Sequence, residues 1–583
     1  MATGSVGASV GGAFGSSGLG PAQRENTLAR MAREEFDVVV VGGGIVGAGV
    51  ALDAATRGLS VALVEARDFA SGTSSRSSKL IHGGIRYLEQ YSFHLVRKAL
   101  IERGLLLQRV APHLVRHISF LLPFSKRWER AYIGAGVALY DGLAFTRISA
   151  RGVPLHRHLT RGQALRLAPS LRRDSFVGAV QLWDAQVDDA RYVVTVLRTA
   201  AAYGAQIVSR TECFGFLREG ERVTGVRIRD VETGSTAEVR AKQVVNATGV
   251  WTDDIQELVG GRGQIHVRAS KGVHLVVPRD RIHSSTGIVL RTEKSVLFAI
   301  PWGRHWLIGT TDTHWDLDKA HPAATRADIN YVLDQVNSVL NVPLTADDVE
   351  GVYAGLRPLL AGESDDTSKL SREHVVTHPV PGLVMVAGGK FATYRVMAKD
   401  AVDAVVHGLD GKIAESCTDR VVLAGGAGFS ALWNSRQRLA RSSGLHVARI
   451  EHLLKRYGAM IEDLLELIAE RPDLGKPLTG ADDYLRAEVV YAASHEGARH
   501  LTDVLARRTH VSIETWHRGV DVAEEVAELL APVLDWSADQ IRREVEHYRE
   551  TVAAERRSQD QQRDDEADAC RRDVPEIVPV LAP

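Results

Sequence analysis

Residues 72–90, GTSSRSSKLIHGGIRYLEQ, bring four serines, a lysine, a histidine, a glycine pair and an Arg-Tyr together just after an apolar strand that ends in an acid. A surface loop has no need of Leu80-Ile81 before a tight Gly83-Gly84 turn, and a core segment does not tolerate Lys79, His82 and Arg86. The combination reads as backbone that a polar ligand approaches closely, with hydroxyl, imidazole and cationic donors gathered around it. Such a stretch has to be held in place from both sides.

The first supporting element lies just upstream. In FDVVVVGGGIVGAGVALDAATRGLSVALVE, Gly42, Gly44 and Gly47 form G-x-G-x-x-G between the strand DVVVV and an Ala-rich helix. Gly42 makes the turn, Gly44 lets backbone approach a pyrophosphate, and Gly47 lets the helix lie close to the sheet. The helix start offers N–H groups to phosphate. The second strand ends in Glu65, spaced to accept from an adenosine ribose. Together these features specify a dinucleotide site without separating NAD from FAD. Two later stretches extend it. VVNATG (244–249) runs a strand into a small-residue turn holding Thr248 and Gly249. VAGGKFATYR (386–395) runs a strand and a glycine pair into a helix start holding Lys390 and Thr393. Each is either an ordinary strand–helix turn or a further contact to the same extended cofactor.

At 583 residues the chain is long enough for two or three domains, and its 45% apolar and 25% charged shares are those of a soluble globular protein. A net charge of −1 excludes the broad basic excess of a nucleic-acid binder. Cys213, Cys417 and Cys570 are too far apart for a zinc site or a disulfide framework, and no metal centre is expected. Alternating strand and helix signals run from about residue 36 to 410, including RVTGVRIRD, KQVVNATG, GVHLVVP, SVLFAIPW, HWLIGTTD and GLVMVAGG. From 411 to 555, segments such as IEHLLKRYGAMIEDLLELIAE carry apolar residues at helical spacing, as for a separate helical domain. Residues 1–35 are expected as a disordered extension and residues 556–583 as a charged flexible tail. No apolar run reaches the length of a membrane span.

The fingerprint at 42–47, TSSRSSKLIHGGIRYLE at 73–89, VNATG, KGVHLVVP, IGTTD, GLRPL and GGKFATYR occur in one order that closely resembles the FAD-dependent respiratory glycerol-3-phosphate dehydrogenases. The similarity spans about residues 36–550, with DVLARRT at 503–509, and leaves out the head and the charged tail. It implies an α/β fold: a Rossmann-type FAD-binding domain of the D-amino-acid-oxidase type, an inserted α+β substrate domain, and an all-α C-terminal domain. It also implies oxidation of sn-glycerol 3-phosphate to dihydroxyacetone phosphate, with electrons passing to a membrane quinone.

In that setting Thr73, Ser74 and Ser75 would hydrogen-bond the phosphate and ribityl region of FAD, joined by Thr248, Gly249, Lys390 and Thr393. His82, Arg86 and Tyr87 would reach the space over the flavin ring, with Gly83-Gly84 letting the backbone pass close to it. A substrate phosphate carries nearly two negative charges and wants guanidinium or ammonium partners. Arg86, Lys271 in SKGVH, Arg357 in GLRPL and Lys390 sit at turns beside strands, where a crevice would be lined. His82 is the base by residue type, and Arg357, which stays protonated, holds the C2 oxygen or the phosphate.

A quinone acceptor requires contact with a membrane. Residues 116–166 interleave Lys126, Arg127, Arg130, Arg147, Arg151, Arg157 and Arg161 with Phe120, Phe124, Trp128, Tyr132, Tyr140 and Phe145. That pattern suits either a monotopic interface with anionic lipid or a helical cap on the substrate domain. The expected location is cytoplasmic, at the inner face of the plasma membrane, and a homodimer stays an open assembly. Two rivals remain: an oxidase of the same substrate that makes hydrogen peroxide, and a non-enzymatic or RNA-directed protein using the Rossmann unit as a scaffold. Balanced charge disfavours the last.

Overall fold

The computed structural model describes residues 18–84, 86–89, 91–144, 153–260, 265–292, 296–361 and 373–580. Two large sheets organise everything up to the helical domain. The first holds eight strands, with a path running His374–Val380, Leu383–Gly388, Thr236–Asn246, Glu35–Val41, Val61–Val64 and Gln206–Val208. Its central strands are parallel and buried on both faces, which is why EFDVVVV and VALV read as unbroken apolar runs rather than alternations. Register matters here. Val41 is level with both Val64 and Asn246, so three strands deliver their carboxyl ends to one line. The strand order turns back on either side of Glu35–Val41, and a crevice opens at such a switch point.

The second sheet holds ten strands. Its long antiparallel pair, Val267–Pro278 with Gly351–Leu360, sets Ser270 opposite Arg357 and Gly272 opposite Gly355. The short strand Leu80–Ile81 joins the far end of this sheet by pairing with Gly178–Gln186. Residues 72–84 therefore start beneath one sheet and finish in the other.

The helical domain has its own core, built on Ile450, Leu454, Tyr457, Leu464, Tyr491 and Leu530. It is clamped to the first sheet by buried charge. Asp68, beyond the second strand, accepts from Arg508 Nη1 and Nη2 at 2.8 and 2.7 Å and also from Arg507 Nε.

Two boundary expectations change. Residues 1–17 lie outside the described residues, but the segment up to residue 35 is ordered: Pro21–Met31 is a helix with proline in its first turn. Its Arg24 is buried and forks onto both Asp230 oxygens at 3.2 and 2.7 Å. The charged end is likewise folded, as helices Ala538–Asp560 and Asp564–Arg572 followed by turns and irregular chain to Val580. Its charges have partners in the rest of the protein, which a composition count does not register.

Asp68→Ala leaves the Arg508 guanidinium buried without its carboxylate. The expected loss is about 3 kcal/mol or more, seen as a lowered unfolding midpoint, with new protease cleavage at the junction to the helical domain.

Candidate active site

At the line of strand ends, Gly42 adopts φ +111°, donates to Val64 O at 2.9 Å, and turns the chain into the helix Ile45–Thr56. A side chain on Gly47 would come within 1.9 Å of Gly42 O, so this glycine sets helix against strand. Gly44 differs. A Cβ there would meet only the Ser74 hydroxyl at 3.2 Å, and otherwise faces the crevice. Glu65 accepts from Gly43 N at 2.7 Å and from Arg67 N at 2.8 Å. Burial nonetheless pushes its carboxyl above the ordinary range, and a further donor such as a ribose hydroxyl would relieve it. Thr248 and Gly249 form the opposite lip.

The stretch that follows is pinned by one buried lysine. Lys79 takes a left-handed backbone, φ +56°, and sends Nζ to Asp189 Oδ1 at 2.6 Å and to Ser75 O at 3.2 Å. The other Asp189 oxygen receives Ser77 N at 3.0 Å and Ser77 Oγ at 2.7 Å. Upstream of this knot, Ser74 Oγ accepts from Ile45 N at 3.0 Å and Thr73 Oγ1 donates to Leu356 O at 2.6 Å. Downstream, Gly83 N donates to Tyr140 Oη at 2.8 Å, and Tyr140 in turn donates to Asp184, which is paired with Arg103.

A single cavity of about 650 Å³ runs from Glu65 past Gly42, Gly44 and Ser74 to His82, a size suited to a bound cofactor and substrate. At the far end it is lined by His82, Tyr87, Arg357 and Lys390. His82 lies edge-on to Phe298, with ring centroids 6.1 Å apart, and Lys390 Nζ sits 3.7 Å from the centre of the Tyr87 ring. Arg357 is fixed by Thr310 Oγ1 and Thr311 O, each at 3.1 Å, and lies 3.6 Å from Asp312.

Sequence reasoning passed over His274, the last residue of KGVH, although the motif itself was in view. It lines the same cavity, is stacked on Tyr353 at 4.8 Å, and shares a 2.8 Å hydrogen bond between Nε2 and Ser78 Oγ. Burial, with Arg357 and Lys79 nearby, pushes its imidazole down to about 3, so it is neutral at working pH.

Several expected residues fall elsewhere. Lys271 does not face the cavity. Strand alternation turns its side chain to the opposite face of the sheet from Gly272, and there it is buried between Asp328, at 2.7 Å, and Asp564. Ser75 borders a neighbouring chamber, because the 3-10 turn Thr73–Ser75 rotates its third side chain away. Thr393 is buried and returns its hydroxyl to Lys390 O at 3.2 Å. Arg86 opens the helix Arg86–Glu89, and its side chain lies outside the described residues. The glycine pair is demanded by protein neighbours: a Cβ on Gly83 would strike Leu100 and Tyr140, and one on Gly84 would strike the Tyr87 ring at 2.4 Å.

Comparison with known proteins fits this geometry. Residues 37–404 match the family model of FAD-dependent oxidoreductases, and residues 416–541 match the C-terminal domain of alpha-glycerophosphate oxidase. Glycerol-3-phosphate dehydrogenase 2 of Mycobacterium tuberculosis is 59% identical over 96% of this chain and 95% of its own. The mitochondrial glycerol-3-phosphate dehydrogenase of Bos taurus is 36% identical over 91% of this chain and 75% of its own. The chain belongs to the FAD-dependent glycerol-3-phosphate dehydrogenase family. Among solved structures, the Bacillus halodurans glycerol-3-phosphate dehydrogenase complexed with FAD superposes with a TM-score of 0.75 at 30% identity, covering 92% of this chain and 98% of that one.

FAD is the cofactor of this family, and the donor set accepts it. Glu65 would take the ribose, Gly44 and the start of helix Ile45–Thr56 would face the pyrophosphate, and Thr248 and Gly249 line the same cavity. Residues not foreseen at the Glu65 end of the cavity include Trp251 and Arg67, whose guanidinium lies 5.4 Å from the Trp251 ring centre.

Two of the three fingerprint glycines should fail differently. Gly44→Val should fold and purify colourless, because its side chain fills the pyrophosphate cradle. Gly47→Ala should destabilise the apoprotein itself. Visible flavin absorbance alongside apoprotein melting temperature separates them.

Proposed function

We propose that the protein oxidises sn-glycerol 3-phosphate to dihydroxyacetone phosphate and hands the electrons to a quinone in the membrane. The observation that carries the reading is the convergence of His82, Tyr87, Arg357 and Lys390 on one end of the flavin cavity. Bound FAD supplies the acceptor for the hydride that leaves C2. The rest falls to the chain's own residues. Lys390 and Arg357 bind the phosphate and the C2 oxygen, and the rigid setting of Arg357 fixes the substrate's orientation. His82 takes the hydroxyl proton, so loss of hydride and proton leaves the ketone. The relatives' names support the substrate assignment.

The membrane reading rests on the helix Glu129–Leu143. Its outer face is apolar: Tyr132 is 51% exposed and Leu139 42%, with Trp128 62% exposed just before it and Lys126, Arg127 and Arg130 alongside. Such a face with flanking cations suits the surface of an anionic bilayer, here the cytoplasmic face of the plasma membrane. Other aromatics of this region do not contribute, since Phe120, Phe124 and Tyr140 are core residues. Phe145, Arg147 and Arg151 lie outside the described residues. No helix among the described residues is long and apolar enough to cross a membrane.

One observation favours a second reading. The family model matched by residues 416–541 is named for an oxidase, which would pass electrons to oxygen. Reduction of a soluble quinone analogue without peroxide supports the dehydrogenase; stoichiometric peroxide overturns it.

Arg357→Ala and Lys390→Ala should each raise the substrate requirement about ten- to a hundredfold, the scale of a lost charged hydrogen bond; steady-state kinetics read this directly. His82→Asn should stay yellow while anaerobic bleaching by substrate slows about a hundredfold, with no recovery as pH rises. Replacing Trp128 and Tyr132 with serine should abolish co-sedimentation with anionic vesicles and leave soluble turnover unchanged.

A further inference from the structure

Beyond helix Ala538–Asp560 the chain folds back toward the flavin cavity. Asp564 reaches Lys271, and Asp568 Oδ1 accepts from Asp318 N at 3.2 Å. Ile577 O accepts from Arg543 Nη2 at 2.9 Å, and Pro575 O lies 2.8 Å from His547 Nε2. Val580 then forms part of the cavity wall. Residues Val574–Ile577 also close one side of an adjoining chamber of about 210 Å³, which shares Arg67, Ser71, Arg76 and Trp251 with the flavin cavity.

Glu576 is the residue on which this path turns. It is 2.7 Å from Arg67 Nε and 3.3 Å from His321 Nε2, with its side chain only 17% exposed. Burial opposes its charge, but His321 and Arg67 outweigh burial and hold the carboxyl at about 2. Arg67 is no neutral anchor. Its N–H donates to Glu65, its guanidinium lies over Trp251, and both Glu65 and Trp251 line the adenosine end.

We propose that residues 564–580 form a strap over the adenosine end of the flavin cavity, with Glu576 as the positioning residue that seats the strap and sets Arg67 beside the cofactor. FAD then enters and leaves only when the strap lifts. Retention of the cofactor by this strap is independent of substrate and electron acceptor.

The test is the release of FAD from full-length holoprotein, followed by the fluorescence of free flavin after dilution. Four proteins are compared: wild type, Glu576→Gln, Glu576→Asp and a chain ending at Arg563. Release should accelerate about tenfold or more in Glu576→Gln and in the truncated chain. Glu576→Asp, which keeps the charge, should return to within about threefold of wild type. Circular dichroism and melting of the apoproteins identify any variant that fails to fold; if the truncated chain does, Glu576→Gln decides. Wild-type release from a folded Glu576→Gln protein overturns the proposal. Equal acceleration in the Gln and Asp variants overturns Glu576 as the seat.

Discussion

The buried pair between Lys79 and Asp189 is the contact on which the site depends. Both side chains are sealed from solvent, 1% and 0% exposed, and each is hydrogen-bonded: the ammonium with a carboxylate and a backbone carbonyl, the carboxylate with a serine's N–H and hydroxyl as well. Removing either partner would strand a charge in the interior. A non-glycine residue in the left-handed region is held there only by its surroundings, and Lys79 redirects the chain from the first sheet into the second. Thr73 and Ser74 lie before the bend and His82 after it, so one loop lines the cavity at both of its ends.

Hydrogen-bonded side chains then make that loop rigid on both sides. The Arg103–Asp184–Tyr140 chain ends on the backbone of Gly83, next to His82. Asp184 is buried, and burial pushes its carboxyl up while Arg103 pulls it back. On the opposite wall Arg357 is held by Thr310 and Thr311. Side chains fixed by such supports lose little freedom when a ligand binds, which keeps binding energy for the reaction itself.

The helical domain and the C-terminal chain complete the enclosure by a different means. They dock through charge: Asp68 with Arg507 and Arg508, and Glu576 with Arg67 and His321. Arg67 and Asp68, which receive them, follow directly on Glu65 at the end of the second strand, and Arg67 lies over the Trp251 ring. The loops that carry chemistry thus gain order from residues several hundred positions away in the chain.

The local pattern of the sequence determined the dinucleotide fold and much of the cavity wall. Gly42, Gly44, Gly47 and Glu65 lie within one strand–turn–helix–strand unit, whose geometry is set by neighbours in the chain, and the motifs around His82, Thr248, Arg357 and Lys390 meet at its mouth. What the residues could not show was the direction in which a polar side chain points when its partner is remote in sequence. Lys271 has the residue type and motif of a phosphate ligand. Strand alternation and two distant aspartates turn it into a buried structural cation. His274 sat in the same motif and faces the cavity one pleat further on. The charged terminus read as solvated because charge alone favours water; only the tertiary structure supplies Lys271, Arg67 and His321, the partners that make its burial favourable.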